Sequence, residues 1–78
     1  MNETLFVEYA NELTIKMDIR PVELFRFLNL LNSHKSFIKA CNFLNKSQND
    51  SEKLDAKKLS VLDHDDQLKM RDMAMYIE

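Results

Sequence analysis

The sequence of 78 residues contains no glycine and a single proline. Glycine most readily adopts the positive φ angles of tight hairpin turns, so a chain without it must build such turns from Asn or Asp. A hairpin-rich β fold is therefore disfavoured, and a glycine-rich phosphate loop is excluded. We predict an all-α single domain over residues 1–78, a compact bundle of four helices with a fifth, short helix as an open alternative.

Composition and cysteine content limit the class of protein. Apolar residues make up 45% and charged residues 31% of the chain, which is typical of a folded domain. Cys41 is the single cysteine, so an internal disulfide is excluded and we expect a small packing residue in a reducing compartment.

The segment MNETLFVEY lacks the basic region of a signal peptide, and no apolar run approaches the roughly 20 residues of a membrane span. We expect a cytoplasmic protein without direct membrane insertion.

The spacing of apolar residues predicts the first two helices. The first helix, residues 3–17 with Asn2 as its N-cap, has an apolar stripe formed by Phe6, Ala10, Leu13 and Met17. Pro21 is tolerated only in the first helical turn, so it predicts the start of a second helix over residues 21–32.

The second helix is apolar on most of its circumference. Its polar side chains form one narrow strip of Glu23, Arg26 and Asn29. A helix of this kind is buried by several neighbours, so we predict that protein encloses it on nearly every side, either other helices of the chain or a partner. The residues predicted to contact a partner are Phe25, Phe27, Leu28 and Leu31.

Polar residues divide the second half of the chain. Ser33 is the predicted N-cap of a third helix over residues 34–46. Its predicted inner stripe consists of Phe37, Cys41 and Leu44, widened by Ile38 and Ala40. The segment 47–58 is either a polar linker or a short helix. A last helix begins after Ser60 or after Asp63. Its predicted apolar side consists of Leu68, Met70, Met73, Ala74 and Ile77.

Candidates for catalysis or metal binding are few. Neither His34 nor His64 lies in a motif that places a base beside a nucleophile, so we expect no catalytic residues and no enzyme activity. The segment DHDD, residues 63–66, carries groups that bind divalent ions. Four adjacent residues on one turn cannot all face one ion, so we interpret the segment as the acidic first turn of a helix. We expect neither a metal site nor a cofactor.

Basic charge is concentrated in residues 33–49, which carry three lysines and no acidic residue in a chain of net charge −2. A basic face with helical spacing is predicted from Lys35, Lys39, Asn42 and Lys46. Two interpretations suit it: a helix face that is solvated or faces an acidic protein as a polar rim, or a helix-turn-helix in which the third helix of the chain contacts DNA. Three lysines without arginine in an acidic chain are a weak nucleic-acid signal, so we favour the protein partner.

Methionine marks a second candidate contact. The last helix contains Met70, Met73 and Met75, and methionine adapts to irregular cores and to binding surfaces alike. Met75 lies away from the predicted inner stripe, so together with Tyr76 it is predicted to form an exposed contact surface.

The segment MNETLFVEYANELTIKMDIRPVELFRFLNLLNSHKSF, followed by a glycine-free remainder rich in Asn, Lys and Met, resembles the small regulatory proteins of T-even-type bacteriophages. Among these it is similar to the cytoplasmic antiholins of lysis inhibition. The resemblance implies a location in the host cytoplasm and, as partner, the cytosolic segment of a holin. No signature residue is carried over from that family.

Together these features predict a small regulatory protein that acts by stoichiometric protein–protein binding. A homo-oligomer is the remaining class of assembly that the sequence leaves open.

Overall fold

The computed structural model describes residues 1–77, and no strand occurs among them. The helices are α1 (Glu3–Met17), α2 (Pro21–His34), α3 (Phe37–Lys46), α4 (Asp50–Ser60) and α5 (His64–Ile77). They form a small bundle of 37 × 23 × 22 Å. The prediction of an all-α bundle is confirmed, with the fifth helix that the sequence left open. Within residues 1–77, none of the helices combines the length and apolar character needed to cross a bilayer.

Local capping explains the bounds of α1 and the start of α2. The side-chain oxygen of Asn2 accepts a hydrogen bond from the N–H of Leu5 at 2.8 Å, as an N-cap does. Asp18 ends α1 in the left-handed region with φ 54°, which aspartate tolerates better than most residues. Pro21 is the first residue of α2, where its missing N–H removes no helical bond. These features confirm the predicted positions of Asn2 and Pro21.

The third helix begins three residues later than predicted. Ser33 continues α2, and Lys35 ends that helix in the left-handed region with φ 56° while its N–H donates to the carbonyl oxygen of Leu31 at 2.7 Å. Ser36 is the N-cap of α3, because its hydroxyl oxygen accepts the N–H of Lys39 at 3.3 Å. The prediction of Ser33 as the cap is wrong: both serines suit an N-cap, and the turn at Lys35 decides between them.

The polar segment that was open between a linker and a helix forms α4. The side chain of Asn49 accepts the N–H of Ser51 at 2.9 Å and caps it. α5 follows after Asp63, whose carboxylate accepts the N–H of Asp66 at 2.9 Å. Of the two predicted starts of the last helix, Asp63 is therefore correct.

The core is built from every helix. α1, α2 and α5 pack against one another, and α4 packs against α3, which also contacts α2. Apolar residues that are at most 9% exposed form one cluster of Leu13, Met17, Ile19, Leu24, Phe27, Leu28, Leu31, Ala40, Leu44, Ala56, Leu59, Leu62, Met70, Met73 and Ala74. Removing these side chains from water is the main favourable contribution to folding.

Charged side chains hold α5 against α1. The ammonium of Lys16 pairs with Asp66, which is buried, and lies 3.6 Å from a carboxylate oxygen of Asp63. Further along, the ammonium of Lys69 lies 2.9 Å from a carboxylate oxygen of Glu12. The sequence numbers rise along one helix as they fall along the other, so α1 and α5 are antiparallel. The Asp66 N–H, together with Lys16, holds the pKa of Asp63 below its ordinary value.

Candidate protein-binding surface

Three of the four α2 residues predicted to contact a partner lie in the core of the chain itself. Phe27, Leu28 and Leu31 are at most 5% exposed. A partner could reach them only if the bundle opened, so they are removed from the candidate surface. The fourth residue, Phe25, is 47% exposed. The prediction that α2 is enclosed on nearly every side is therefore wrong for the side that carries Phe25.

Phe25 belongs to a row of three aromatic rings, which we call the aromatic patch: Phe25, Phe6 and Tyr76. The centroid of the Phe6 ring lies 6.2 Å from that of Phe25 and 5.2 Å from that of Tyr76. Tyr76 and the adjacent Met75 are both exposed. The structure therefore brings together three of the predicted contact residues, although they come from opposite ends of the sequence.

A groove runs along α5 where the turn between α2 and α3 packs against this helix. It consists of two adjoining cavities of about 210 and 260 Å³ that share Lys35, Ser36, Phe37 and Arg71. We call it the α5 groove. The stripe of α5 that borders it consists of His64, Gln67, Leu68, Arg71, Ala74 and Met75. From its first to its last residue this stripe rises about 16 Å, the length of about three helical turns.

Large apolar side chains are exposed at this groove. Ile38 is 71%, Met75 68% and Leu68 42% exposed. The sequence predicted that Ile38 and Leu68 face the core, and that prediction is wrong. Each lies two positions before a buried residue, Ala40 or Met70, and two positions correspond to about 200° around a helix. Both side chains are therefore on the side of their helix away from the core.

The groove is lined by cations and by no acidic residue in the part of the chain that the structure describes. Lys35 lies on the wall formed by the turn, and Arg71 lies on the wall formed by α5. Neither makes an ion pair within residues 1–77. The surface therefore combines exposed apolar groups with positive charge that no ion pair within residues 1–77 neutralises.

The four residues of the predicted basic face do not lie on one helix. Lys39, Asn42 and Lys46 are exposed on α3. Lys35 lies before that helix, as the C-cap of α2. Only Lys35 borders the α5 groove. The predicted face is thus divided: Lys35 lies at the α5 groove, and Lys39, Asn42 and Lys46 form a separate polar side of α3.

The remaining reactive groups have structural surroundings. Cys41 is half-buried, and burial raises the pKa of its thiol, so the nucleophilic thiolate is scarce near neutral pH. In the DHDD segment, Asp63 caps α5 and Asp66 pairs with Lys16, in agreement with the interpretation as an acidic first turn. Among residues 1–77, no group of three or more His, Cys, Asp or Glu side chains is placed to hold a metal ion.

Sequence reasoning missed Ile38, Leu68 and Arg71 as surface residues. A signal for two of them exists: Leu68, Arg71 and Met75 recur at helical spacing on α5, as a second stripe beside the inner one. For Ile38 the available signal was its two-position offset from Ala40, which places the two side chains on different sides of α3.

Comparison with known proteins gave no match. No protein-family model matches the sequence, and neither a curated protein nor a solved structure does.

Proposed function

We propose that the chain is a small regulatory protein that binds another protein stoichiometrically through the α5 groove. The observation that supports this most is the grouping of Ile38, Leu68 and Met75, three large exposed apolar side chains, at one open groove. Single exposed apolar residues are normal on a protein surface, whereas a group of them marks an interaction site.

The dimensions of the α5 groove suit a helix of the partner. Its length of about three helical turns matches the apolar face that an amphipathic helix inserts into a groove. Met75 is unbranched and flexible, so its side chain can adjust to the shape of the bound helix.

We further propose that the partner is the cytosolic segment of a holin, and that the protein is an antiholin in the host cytoplasm. The support is the resemblance of residues 1–37 to regulatory proteins of T-even-type bacteriophages, together with a surface suited to stoichiometric binding. Occupying the holin segment would hold back the formation of holes in the inner membrane.

Isothermal titration of the chain with the purified cytosolic segment of a T-even-type holin tests both statements. We expect one-to-one binding that the double substitution Ile38→Ser, Met75→Ser weakens at least about tenfold, since two exposed apolar contacts are lost. The matched control is Ile15→Ser on α1, because Ile15 is 81% exposed and lies outside the groove. Circular dichroism verifies that each variant keeps its helices.

Two results would contradict the proposal. If the wild type does not bind the holin segment, the antiholin assignment fails. If binding occurs and the double substitution leaves it unchanged, the α5 groove is not the surface, and Phe25 and Tyr76 of the aromatic patch become the next residues to substitute.

Nucleic-acid binding is the alternative, favoured by one observation: Lys39, Asn42 and Lys46 are exposed together on α3, and the two lysines make no ion pair within residues 1–77. A gel shift with duplex DNA at low salt tests it. Retention that disappears on charge reversal of Lys39 and Lys46 would support this alternative. No retention of the wild type would remove it.

A further inference from the structure

We propose, building on the proposed function, that the α5 groove selects an acidic amphipathic helix, whose apolar face enters the groove while flanking Asp or Glu side chains pair with Lys35 and Arg71. The partner class is thus a protein segment of defined charge. The charge and the hydrogen bonding of the residues that line the groove support this occupant.

The polar groups of the groove divide into two classes. The amide of Asn32 donates to the carbonyl oxygen of Ala74 at 2.9 Å, and that of Gln67 donates to the carbonyl oxygen of Leu62 at 3.3 Å. These amides are already engaged inside the chain. Lys35 and Arg71, in contrast, make no ion pair within residues 1–77, so they are the cations of the groove that remain to meet a partner.

The two cations stand on opposite walls of the α5 groove, and both border each of its cavities. Without a partner, two like charges beside one groove repel each other. A carboxylate on either flank of a bound helix removes this repulsion and adds an attraction, whereas a basic helix adds a third cation. Electrostatic complementarity of this kind acts mainly on specificity.

The positive groove differs from the rest of the molecule. The chain has a net charge of −2, which disfavours an acidic partner on most of its surface. Some cations elsewhere are neutralised by ion pairs, as Arg26 is by Asp55 and Lys69 by Glu12. Others, such as Lys39, Lys46 and Lys57, make no ion pair within residues 1–77 but do not border the α5 groove. We therefore expect an acidic helix to bind at the α5 groove, where the cations lie beside exposed apolar side chains.

The backbone conformation of Lys35 allows its charge to be removed by a substitution that does not destabilise the fold. Lys35 has φ 56°, a conformation in which a side chain is unfavourable and glycine is preferred. The substitution Lys35→Gly therefore removes the cation while raising the urea midpoint of unfolding. A loss of binding in this variant cannot be attributed to a loss of the fold.

The experiment compares two synthetic peptides that share one leucine stripe and are stapled into a helix of about four turns, because short helices are unstable alone. One peptide carries Glu beside the stripe and the other carries Lys at the same positions. Fluorescence anisotropy measures their binding to the full chain. We expect the acidic peptide to bind about tenfold more tightly at low salt, with a preference that decreases in high salt.

Charge-removing variants identify the residues responsible. Lys35→Gly and Arg71→Gln should each reduce the preference about threefold, and the double variant should abolish it. Lys57→Gln is the matched control, because Lys57 is an exposed cation of α4 outside the groove that also makes no ion pair within residues 1–77. It should leave the preference unchanged.

Several results would overturn the inference. Equal binding of the two peptides, weakened equally by Ile38→Ser, would leave the groove as a binding site but remove the charge selection. Binding of neither peptide would remove the acidic helix as occupant, while the proposed function is judged separately by the holin titration. Light scattering that shows a dimer dissociated by Ile38→Ser would make a second copy the occupant. Displacement of the acidic peptide by duplex DNA would make nucleic acid the occupant.

Discussion

Asp63 shows how one side chain both begins a helix and joins it to another. Its carboxylate accepts the N–H of Asp66 and lies 3.6 Å from the ammonium of Lys16. Both contacts favour the ionised form, and the pKa of Asp63 is lowered from its ordinary 3.8. A carboxyl whose folded pKa is lowered stabilises the fold above its unfolded pKa, and this contribution is lost as the pH falls through the folded pKa.

The substitution Asp63→Asn keeps a capping oxygen but removes the charge. We expect a urea midpoint below that of the wild type at pH 7, and a difference that closes as the pH falls well below 3.8. Urea unfolding followed by circular dichroism over this pH range measures it. Asp65→Asn, in the same turn but without an ion pair to Lys16, should have a smaller effect. A difference that is constant with pH would mean that geometry, rather than charge, carries the effect.

At the scale of the helix, α2 carries a core residue and an exposed aromatic residue within a single turn. Leu28 is fully buried, whereas Phe25, one turn earlier, is about half exposed and touches Phe6. Leu28→Ala removes buried methyl groups and leaves a cavity, so it should lower the free energy of unfolding by about 3 kcal/mol. Phe25→Ala should cost clearly less, since much of its ring is already in water. Urea unfolding of the two variants checks this order, and equal losses would contradict the described burial of α2.

Most helix boundaries could be predicted because the signals are local. Asn2 and Pro21 each act within one turn of their own position, so the residue type identifies the helix start, whereas for α5 the residue types left Ser60 and Asp63 both open. The start of α3 could not be predicted in this way. It depends on Lys35 entering a conformation that a lysine rarely adopts, which is a consequence of packing rather than of propensity.

The surface was less predictable than the fold, because it exists only where separate elements meet. The α5 groove needs the α2–α3 turn to lie against α5, and no sequence period reports that contact. Met75 was predicted from its position off the inner stripe, whereas Ile38 was assigned to the core because it is apolar and adjacent in sequence to the inner stripe of α3. Phe27, Leu28 and Leu31 show the opposite error, since apolar character alone cannot distinguish a core from an interface.

At the scale of the whole molecule, α5 is held at its start by ion pairs to α1 and near its end by α2. The amide of Asn32 donates to the carbonyl oxygen of Ala74, in the last described turn of α5. We expect Asn32→Ala to lower the free energy of unfolding by about 1–2 kcal/mol and to speed amide exchange in the last turn of α5.

Urea unfolding and hydrogen exchange measure these two effects. Asn29→Ala is the control, because Asn29 lies on the same helix, is exposed and should change stability by no more than about 0.5 kcal/mol. Equal results for the two variants would show that the Asn32 bond does not hold α5 in place.

The antiparallel course of α1 and α5 has a practical consequence for anyone who handles the protein. Met1, Leu5, Met75 and Tyr76 border one cavity, so an affinity tag attached before Met1 would sit beside Met75 and the mouth of the α5 groove. Immobilisation through that tag would press the groove toward the resin and suppress capture of a partner. A tag inserted after Ser47, between the end of α3 and the Asn49 cap of α4, avoids this attachment point, because residues 47–49 border neither cavity of the α5 groove.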